Sequence, residues 1–232
     1  MKVKFVPYGV YLDILSAVGR WKVLDYSGIS EFCGHDLKYK NLASKVKKLE
    51  NAELLKSIFA EKKKKYLFLS HMGSQLVPKG SPYDVENASL HHDILVVRIL
   101  RYLTNFESFH APEIISKEVL GGVEPDAVIQ GMKNDKKYSM AIEVELTQKS
   151  EKRVKEKLSK YGQDRSSLYC LYITQKKSLY RTYKRFLEEM DTMVQAKVFL
   201  LLDEGLIGSE INFTGKQVFF KGETKTFEEI FL

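Results

Sequence analysis

The sequence predicts an α/β protein (α+β overall) made of two modules, a small helical module that ends in a β-hairpin and a larger module with a mixed sheet. Three observations lead to this prediction. Apolar residues recur at helical spacing over the first 50 positions, two apolar runs then flank a lysine cluster, and from residue 123 onward short apolar strands alternate with amphipathic helices. Alternating strands and helices are typical of βαβ crossovers and of parallel strand pairs.

The composition is typical of a folded protein that works inside the cell. Of 232 residues, 44% are hydrophobic and 29% are charged, which are ordinary values for a globular protein. No apolar run approaches the roughly 20 residues of a membrane-spanning helix, and the N-terminus lacks the apolar core of a signal peptide. Cys33 and Cys170 form no CxxC pair, which argues against a disulfide framework or a zinc site. We therefore expect a cytoplasmic protein without a membrane partner.

The net excess of positive charge lies in the first third of the chain. Residues 1–80 hold 15 Lys or Arg and 7 Asp or Glu, whereas residues 81–232 hold 22 and 23. This asymmetry indicates that one module binds a polyanion and that the other does something else. A turn-rich stretch from Pro78 to Pro82 separates the two regions. We accordingly predict one domain over residues 1–79 and a second over residues 80–232.

The first module is expected to contain three helices and a hairpin. The first helix follows from apolar residues at i, i+3, i+4 and i+7 spacing: Tyr11, Ile14, Leu15 and Val18. Residues 27–32 fit a short second helix, and residues 40–50 repeat apolar positions as a third. The apolar runs 54–60 and 66–70 are joined by Glu61 and four lysines, which is the pattern of a β-hairpin with a charged tip.

This order of elements resembles a winged helix-turn-helix module. In such modules the third helix enters the major groove of DNA and the hairpin contacts phosphates. The resemblance implies that DNA is bound by lysines of the third helix and of the hairpin: Lys38, Lys40, Lys45, Lys48, Lys62, Lys63, Lys64 and Lys65. Lysines beside DNA release condensed counterions and add affinity without sequence information. A solvated lysine surface on a helical scaffold or protein-interaction module is the alternative.

The second module is expected to begin with a long helix over residues 87–106. A strand over residues 123–129, a turn over residues 131–137 and a strand over residues 139–147 follow. The remaining elements alternate between helix and strand: helix 150–162, strand 168–173, helix 179–190, strand 198–202 and a terminal hairpin around residues 215–222. This alternation predicts a sheet that contains parallel pairs.

The strand over residues 139–147 carries the most informative polar side chains. Glu143 and Glu145 are two positions apart and therefore point to the same face of the sheet. Asp126 lies at a Pro-Asp step at the start of the preceding strand. If these three carboxylates converge they need a cation, and hard oxygen ligands suit Mg²⁺ or Mn²⁺, which can activate water beside a scissile phosphate. Alternatively, the glutamates face solvent on an edge strand and guard against aggregation.

Pro125-Asp126 and Glu143-Val144-Glu145, with the hairpin between them, resemble the PD-(D/E)XK nuclease superfamily over about residues 86–203. More narrowly, residues 90–93 (Leu-His-His-Asp) and 143–150 resemble the replication-relaxation family of mobile plasmids and integrative elements. Proteins of that family place a winged helix before a nuclease-like domain. The resemblance implies a restriction-endonuclease-like mixed-sheet α/β domain with Mg (or Mn) held by Asp126 and Glu143. The catalytic residues that it implies are Asp126, Glu143, Glu145 and Lys149.

Glu145 stands where the superfamily has its lysine, two positions after the acidic residue. Some superfamily members take this lysine from the following helix, for which Lys149, Lys157 and Lys160 are the candidates. His92 and Asp93 are candidates for a further polar ligand from the first helix, although His92 is as well explained by a hydrogen bond within the domain.

Three functions remain open on this sequence. One is a Mg-dependent endodeoxyribonuclease or nickase. The second is a catalytically inactive DNA-binding accessory protein in replication, relaxation or transfer of a plasmid or mobile element. The third is a transcription regulator whose C-terminal domain senses a ligand or mediates dimerisation. The expected partners are DNA and either a second copy of the chain or other mobilisation or replication proteins.

Overall fold

The computed structural model describes residues 5–60, 63–78, 80, 82–83, 90–115, 123–163, 168–208 and 210–232. The chain divides into two compact units, Met1–Val97 and Arg98–Leu232. This division falls inside a helix that begins at Leu90, whereas the sequence places the domain boundary between residues 79 and 80, ahead of that helix. The boundary at residue 79 remains a prediction. Within the described residues, no helix is long and apolar enough to cross a membrane.

The first unit has helices around a small antiparallel sheet. Its elements are α1 (Val10–Trp21), β1 (Leu24–Asp25), α2 (Tyr26–Phe32), α3 (Tyr39–Asn51), β2 (Leu55–Ala60), β3 (Lys64–Leu69), α4 (His71–Ser74) and the first part of α5 (Leu90–Leu103). Strand β3 lies between β1 and β2 and is antiparallel to both. Strand β1 was not predicted from the sequence, because a two-residue strand is too short to show an alternating pattern.

Helix α1 packs into the unit through the apolar face that its spacing predicts. Ile14, Leu15 and Val18 are fully buried. Trp21 stacks on Phe32 of α2 with ring centroids 4.3 Å apart, so both rings serve the core. Helix α2 begins where the Asp25 carboxylate accepts a hydrogen bond from the N–H of Gly28 at 2.8 Å, a cap that satisfies a free helical donor.

The hairpin places its lysines differently from the prediction. Lys64 and Lys65 are the first residues of β3 and not part of the turn. Lys63 lies in the turn with φ 65°, and Lys62 lies outside the described residues. Strand pairing therefore extends further toward the tip than the apolar run alone indicated, because backbone hydrogen bonds of a ladder do not require apolar side chains.

The second unit contains a seven-stranded mixed sheet. After the end of α5 its elements are β4 (Phe109–Ile114), β5 (Ala127–Lys133), β6 (Lys136–Glu145), α6 (Glu151–Gln163), β7 (Leu168–Thr174), α7 (Lys177–Glu188), α8 (Thr192–Gln195), β8 (Val198–Leu202), β9 (Gln217–Phe220), β10 (Glu223–Thr226) and α9 (Phe227–Phe231). The strand order is β10-β9-β8-β7-β6-β5-β4. Strands β6, β7 and β8 run parallel, and the outer pairs are antiparallel. The predicted α/β class with a mixed sheet is confirmed.

Helices α6, α7 and α8 cover one face of this sheet. Leu158, Phe186 and Val194 of these helices share a buried cluster with side chains of β6, β7 and β8. On the opposite face, Phe231 of α9 packs against Phe199 of β8, with ring centroids 5.0 Å apart. The central strands are thus covered on both faces, as expected for parallel strands.

The turn between β5 and β6 is shorter than the sequence indicated. Asn134 and Asp135 have φ values of 51° and 60°, as a two-residue type I′ turn requires. Gly131 belongs to β5 and not to the turn. A Cβ at this position would lie 2.2 Å from the Tyr138 ring of β6, so the close packing of the two strands requires a glycine. A glycine that predicts a turn in isolation therefore serves close packing across the two strands.

Candidate active site and nucleic-acid interface

Asp126, the residue before β5, is fastened to β6 on both sides of Glu143. Its N–H donates to the carbonyl of Ile142 at 3.1 Å, and its carboxylate accepts from the N–H of Val144 at 2.7 Å. The charge of Asp126 also acts on Glu143 and raises the pKa of that carboxyl. The structure thus brings together two of the carboxylates that the sequence assigned to one site.

Glu143 is buried, and both of its carboxylate oxygens accept hydrogen bonds from α6. Its exposed fraction is 1%. Lys157 Nζ donates to Oε2 at 2.6 Å, and the Tyr161 hydroxyl donates to Oε1 at 2.5 Å. Residues four apart lie on the same side of a helix, so α6 presents both donors to one carboxylate.

Burial favours the neutral forms of Glu143 and Lys157, whereas the attraction between their charges favours the ionised forms. Burial raises the pKa of Glu143 to about 7, against the lowering effect of the Lys157 ammonium. Burial alone lowers the pKa of Lys157, but the charges of Glu143 and Asp126 outweigh it, and the net pKa is raised. Burial raises the pKa of Tyr161 far above its ordinary value, so its hydroxyl remains a donor. Lys157 therefore stays an ammonium, and burial holds the pKa of Glu143 above its ordinary value.

The alternative in which Glu143 faces solvent on an edge strand is wrong. Strand β6 lies between β5 and β7, and the Glu143 side chain is covered by α6. Its partner on β7 is Tyr172, which is 1% exposed and whose hydroxyl has no hydrogen-bond partner in the described part of the chain. The alternation of residues along β6 predicted that Glu143 and Glu145 share one face of the sheet. It did not predict that helix α6 covers Glu143 on that face.

Glu145 and Lys149 lie further along the chain, at the end of β6 and in the loop after it. Glu145 is half-buried, and its charge adds to burial in raising the pKa of Tyr183 on α7. Lys149 Nζ donates to Thr147 Oγ1 at 3.2 Å. Of the lysines proposed from sequence to replace the missing one, Lys157 is the one that reaches Glu143.

The described residues contain no group of three His, Cys, Asp or Glu side chains that could hold a metal ion. Both oxygens of Glu143 already accept from donors, one of them a cation, and Oδ2 of Asp126 accepts from the backbone. Mg²⁺ and Mn²⁺ need carboxylate oxygens that are open to them. Three of the four carboxylate oxygens of Asp126 and Glu143 thus already accept hydrogen bonds, and the predicted Asp126–Glu143 metal site stays a prediction.

His92 and Asp93 lie on the part of α5 that belongs to the first unit. The Asp93 carboxylate accepts from Lys22 Nζ at 3.1 Å and from the Tyr83 hydroxyl at 2.8 Å. Nδ1 of His92 is 3.9 Å from Oδ1 of Asp93. Burial raises the pKa of Asp93, but its contacts with His92, Lys22 and Tyr83 outweigh burial and hold that pKa below its ordinary value. Asp93 thus ties α5 to the residue that follows α1.

Helix α3 exposes one polar side. Its exposed residues at i, i+4, i+7 and i+11 spacing are Lys40, Ser44, Lys47 and Asn51, which we call the α3 stripe. Lys38, just before the helix, is also exposed. Lys47 was not among the predicted DNA-binding residues, although its seven-residue spacing from Lys40 was a signal that could have found it.

Two other lysines of α3 pack on aromatic rings. Lys45 Nζ lies 4.7 Å from the ring centroid of Tyr11, and Lys48 Nζ lies 4.3 Å from that of Phe5. These cation–π contacts bring both side chains back onto the N-terminal part of the unit. Lys45 and Lys48 therefore lie to one side of the α3 stripe and are not members of it.

The hairpin lysines have two different roles. Lys63 and Lys64 are exposed. Lys65 Nζ forms an ion pair with Glu50 of α3 at 2.7 Å, and the same carboxylate accepts from Ser57 Oγ of β2 at 2.5 Å. Lys65 therefore holds the hairpin against α3, whereas Lys63 and Lys64 face solvent.

Comparison with solved structures finds a match to the restriction endonuclease FokI bound to DNA, with a TM-score of 0.33 and 11% sequence identity. The match covers 85% of this chain and 43% of that chain, so this chain spans less than half the length of that protein. At this TM-score the likeness does not establish a common fold. No protein-family model matches the sequence, and no curated protein matches it.

Proposed function

We propose that the chain binds duplex DNA through its first unit, with α3 in the major groove and the β2–β3 hairpin against the phosphates. The α3 stripe is the observation that carries this proposal, because its polar side chains face solvent while Leu42, Val46 and Leu49 fill the core. The order of helices and strands and the central place of β3 support a winged helix module.

The chemistry of the α3 stripe suits DNA. Lys40 and Lys47 are seven residues apart, which places their ammonium groups about 10 Å apart along the helix and within reach of phosphates along one groove. Ser44 and Asn51, which share the stripe, carry no charge and can form hydrogen bonds to base edges. A cationic helix with neutral hydrogen-bonding residues between its lysines matches a surface of phosphates and bases better than it matches a protein surface.

Salt dependence of DNA affinity tests this assignment. We expect the Lys40→Ala, Lys47→Ala variant to bind a mixed-sequence duplex more weakly. The slope of log affinity against log salt concentration should become shallower by about 0.9 for each lysine that contacts a phosphate. The Lys63→Ala, Lys64→Ala variant should flatten the slope in the same way. Fluorescence anisotropy of labelled duplex between low and moderate salt measures both.

The matched control is Lys136→Ala, Lys137→Ala, which removes two exposed lysines from a hairpin of the second unit. Its slope should equal that of the wild type. A wild-type slope in the Lys40, Lys47 variant, or an equal loss in the control, would exclude the α3 stripe as the DNA-binding surface.

A second candidate function is DNA cleavage by the second unit. The observation that favours it is the contact of Lys157 with Glu143 beside Asp126, since α6 thereby supplies a lysine that position 145 lacks. Against it stands the engagement of both Glu143 oxygens by Lys157 and Tyr161, with which a metal ion would have to compete. The closed network favours an accessory protein without catalytic activity.

Conversion of supercoiled plasmid to nicked or linear DNA distinguishes the two functions. The assay compares the wild type in Mg²⁺, Mn²⁺ and EDTA with the Asp126→Ala, Glu143→Ala variant and with a control that lacks two exposed carboxylates, Glu107→Ala, Glu124→Ala. Metal-dependent cutting that the first variant loses and the control keeps would establish a nuclease. A folded wild type that shifts DNA but leaves the plasmid supercoiled is the result we expect from the closed network.

We further propose that DNA binding serves replication, relaxation or transfer of a plasmid or mobile element. The support is the resemblance of residues 90–93 and 143–150 to the replication-relaxation family. In that setting the partners are the element's DNA and either a second copy of the chain or other mobilisation proteins.

A further inference from the structure

We propose that Phe59 is an apolar wedge that packs against the bases of bound DNA, an inference that rests on the proposed DNA binding of the first unit. Phe59 lies within β2, yet its side chain is 69% exposed. Burying such a ring stabilises a protein relative to leaving it in water. The fold of the first unit forgoes that stabilisation at this position.

Phe59 lies on the face of the hairpin that is turned toward the C-terminal end of α3. It is directly opposite Lys65 in the antiparallel pair, and directly opposite residues share a face. Ser57, two positions earlier, shares that face as well. Glu50 of α3 accepts hydrogen bonds from both Ser57 and Lys65. Phe59 is therefore exposed near the C-terminal end of α3, where Asn51 is the last residue of the α3 stripe.

The charges around Phe59 identify the kind of partner. The other exposed residues described in this hairpin are three lysines: Lys63 in the turn, and Lys56 and Lys64, whose side chains alternate to the face opposite Phe59. Duplex DNA offers phosphates to these lysines and stacked, apolar bases to the ring, and proteins that contact the minor groove insert apolar side chains between base steps in this way. A second copy of the chain would bring the same lysines face to face, and like charges across an interface are unfavourable.

A tryptophan reporter at this position tests the inference directly. The chain contains one tryptophan, Trp21, which is 2% exposed and supplies a constant background. We expect Phe59→Trp to lose its added emission when duplex DNA binds, because stacking on bases quenches an indole. The control is Met193→Trp, which alters an apolar residue of the second unit that is 66% exposed and should keep its emission.

The affinity of the alanine variant gives a second measurement. We expect Phe59→Ala to weaken binding about five- to 150-fold, the effect of losing one stacked ring, without changing the slope against salt. Thermal unfolding at the wild-type midpoint establishes that the variant is folded, which its exposed position leads us to expect.

Three results would overturn the inference. Unchanged emission of Phe59→Trp on DNA that anisotropy shows to be bound would remove the wedge and leave the proposed DNA binding intact. A smaller molecular mass of Phe59→Ala by light scattering would assign the ring to contact between copies of the chain. Absence of DNA binding by the wild type would overturn both the proposed function and the wedge.

Discussion

Glu143 is a buried carboxylate whose charge depends on two donors from one helix. The Tyr161 hydroxyl lowers the pKa of Glu143, whereas burial raises it and dominates. We therefore expect Tyr161→Phe to raise the pKa of Glu143 above its value of about 7, because the donor is lost while the carboxyl stays buried. Titration of the glutamate carboxyl carbons by NMR measures this shift without any need for enzymatic activity.

Tyr172→Phe is the matched control for this substitution. It removes a hydroxyl from the neighbouring strand at the position paired with Glu143, but that hydroxyl donates no hydrogen bond in the described structure. The pKa of Glu143 should change little. Tyr161→Phe should also lower the free energy of unfolding by about 1–3 kcal/mol, since it leaves a buried acceptor unsatisfied, whereas Tyr172→Phe should not. Equal shifts in both variants would refute a specific role for the Tyr161 hydroxyl.

Individual elements differ in how far the sequence determines them. Helix α3 was predictable because its apolar residues follow one face, and β8 was predicted over the residues that form it, as a short run of buried apolar side chains. Strand β4 was missed because His110, Ala111 and Pro112 break any alternation, and the pairing with β5 is irregular at the same place. Its pairing depends on β5, and local sequence does not encode that contact.

At helix α6 of the candidate site, too, the local sequence does not encode a contact between elements. Lys157 lies among the buried residues Val154, Leu158 and Tyr161, so a lysine on an apolar stripe was a visible signal of a buried anionic partner. The sequence could not tell which carboxylate that partner would be, since the answer depends on how α6 crosses β6. Lys149 is closer in sequence, but it lies in the loop before α6.

At the scale of the whole molecule, the two units hold buried carboxylates whose pKa values are shifted in opposite directions. The pKa of Asp93 in the first unit lies below its ordinary value of 3.8, and that of Glu143 in the second unit lies above its ordinary value of 4.5, at about 7. A lowered pKa contributes stability that is present above the unfolded pKa and is lost as pH falls. A raised pKa contributes stability that is present below the unfolded pKa and is lost as pH rises.

We therefore expect the two units to be weakened at opposite ends of the pH range. A fall in pH below the ordinary pKa of 3.8, through the lowered pKa of Asp93, protonates this carboxyl and weakens its contacts with Lys22 and Tyr83. A rise from pH 4.5 through about 7 ionises Glu143 in its buried site. Urea unfolding as a function of pH should show that Asp93→Asn flattens the acid side of the stability curve and that Glu143→Gln flattens the decline toward neutral pH.

Asp36→Asn is the control for the acid side, because Asp36 is an exposed carboxylate of the first unit and its loss should leave both sides of the curve unchanged. The two effects should add in the double variant, since sites in separate units without shared partners are expected to be independent. A stability curve in which Glu143→Gln acts only below pH 4 would show that Lys157 holds Glu143 ionised throughout, with attraction between the two charges outweighing burial. Lys157 and Glu143 would then form a permanent ion pair in the second unit.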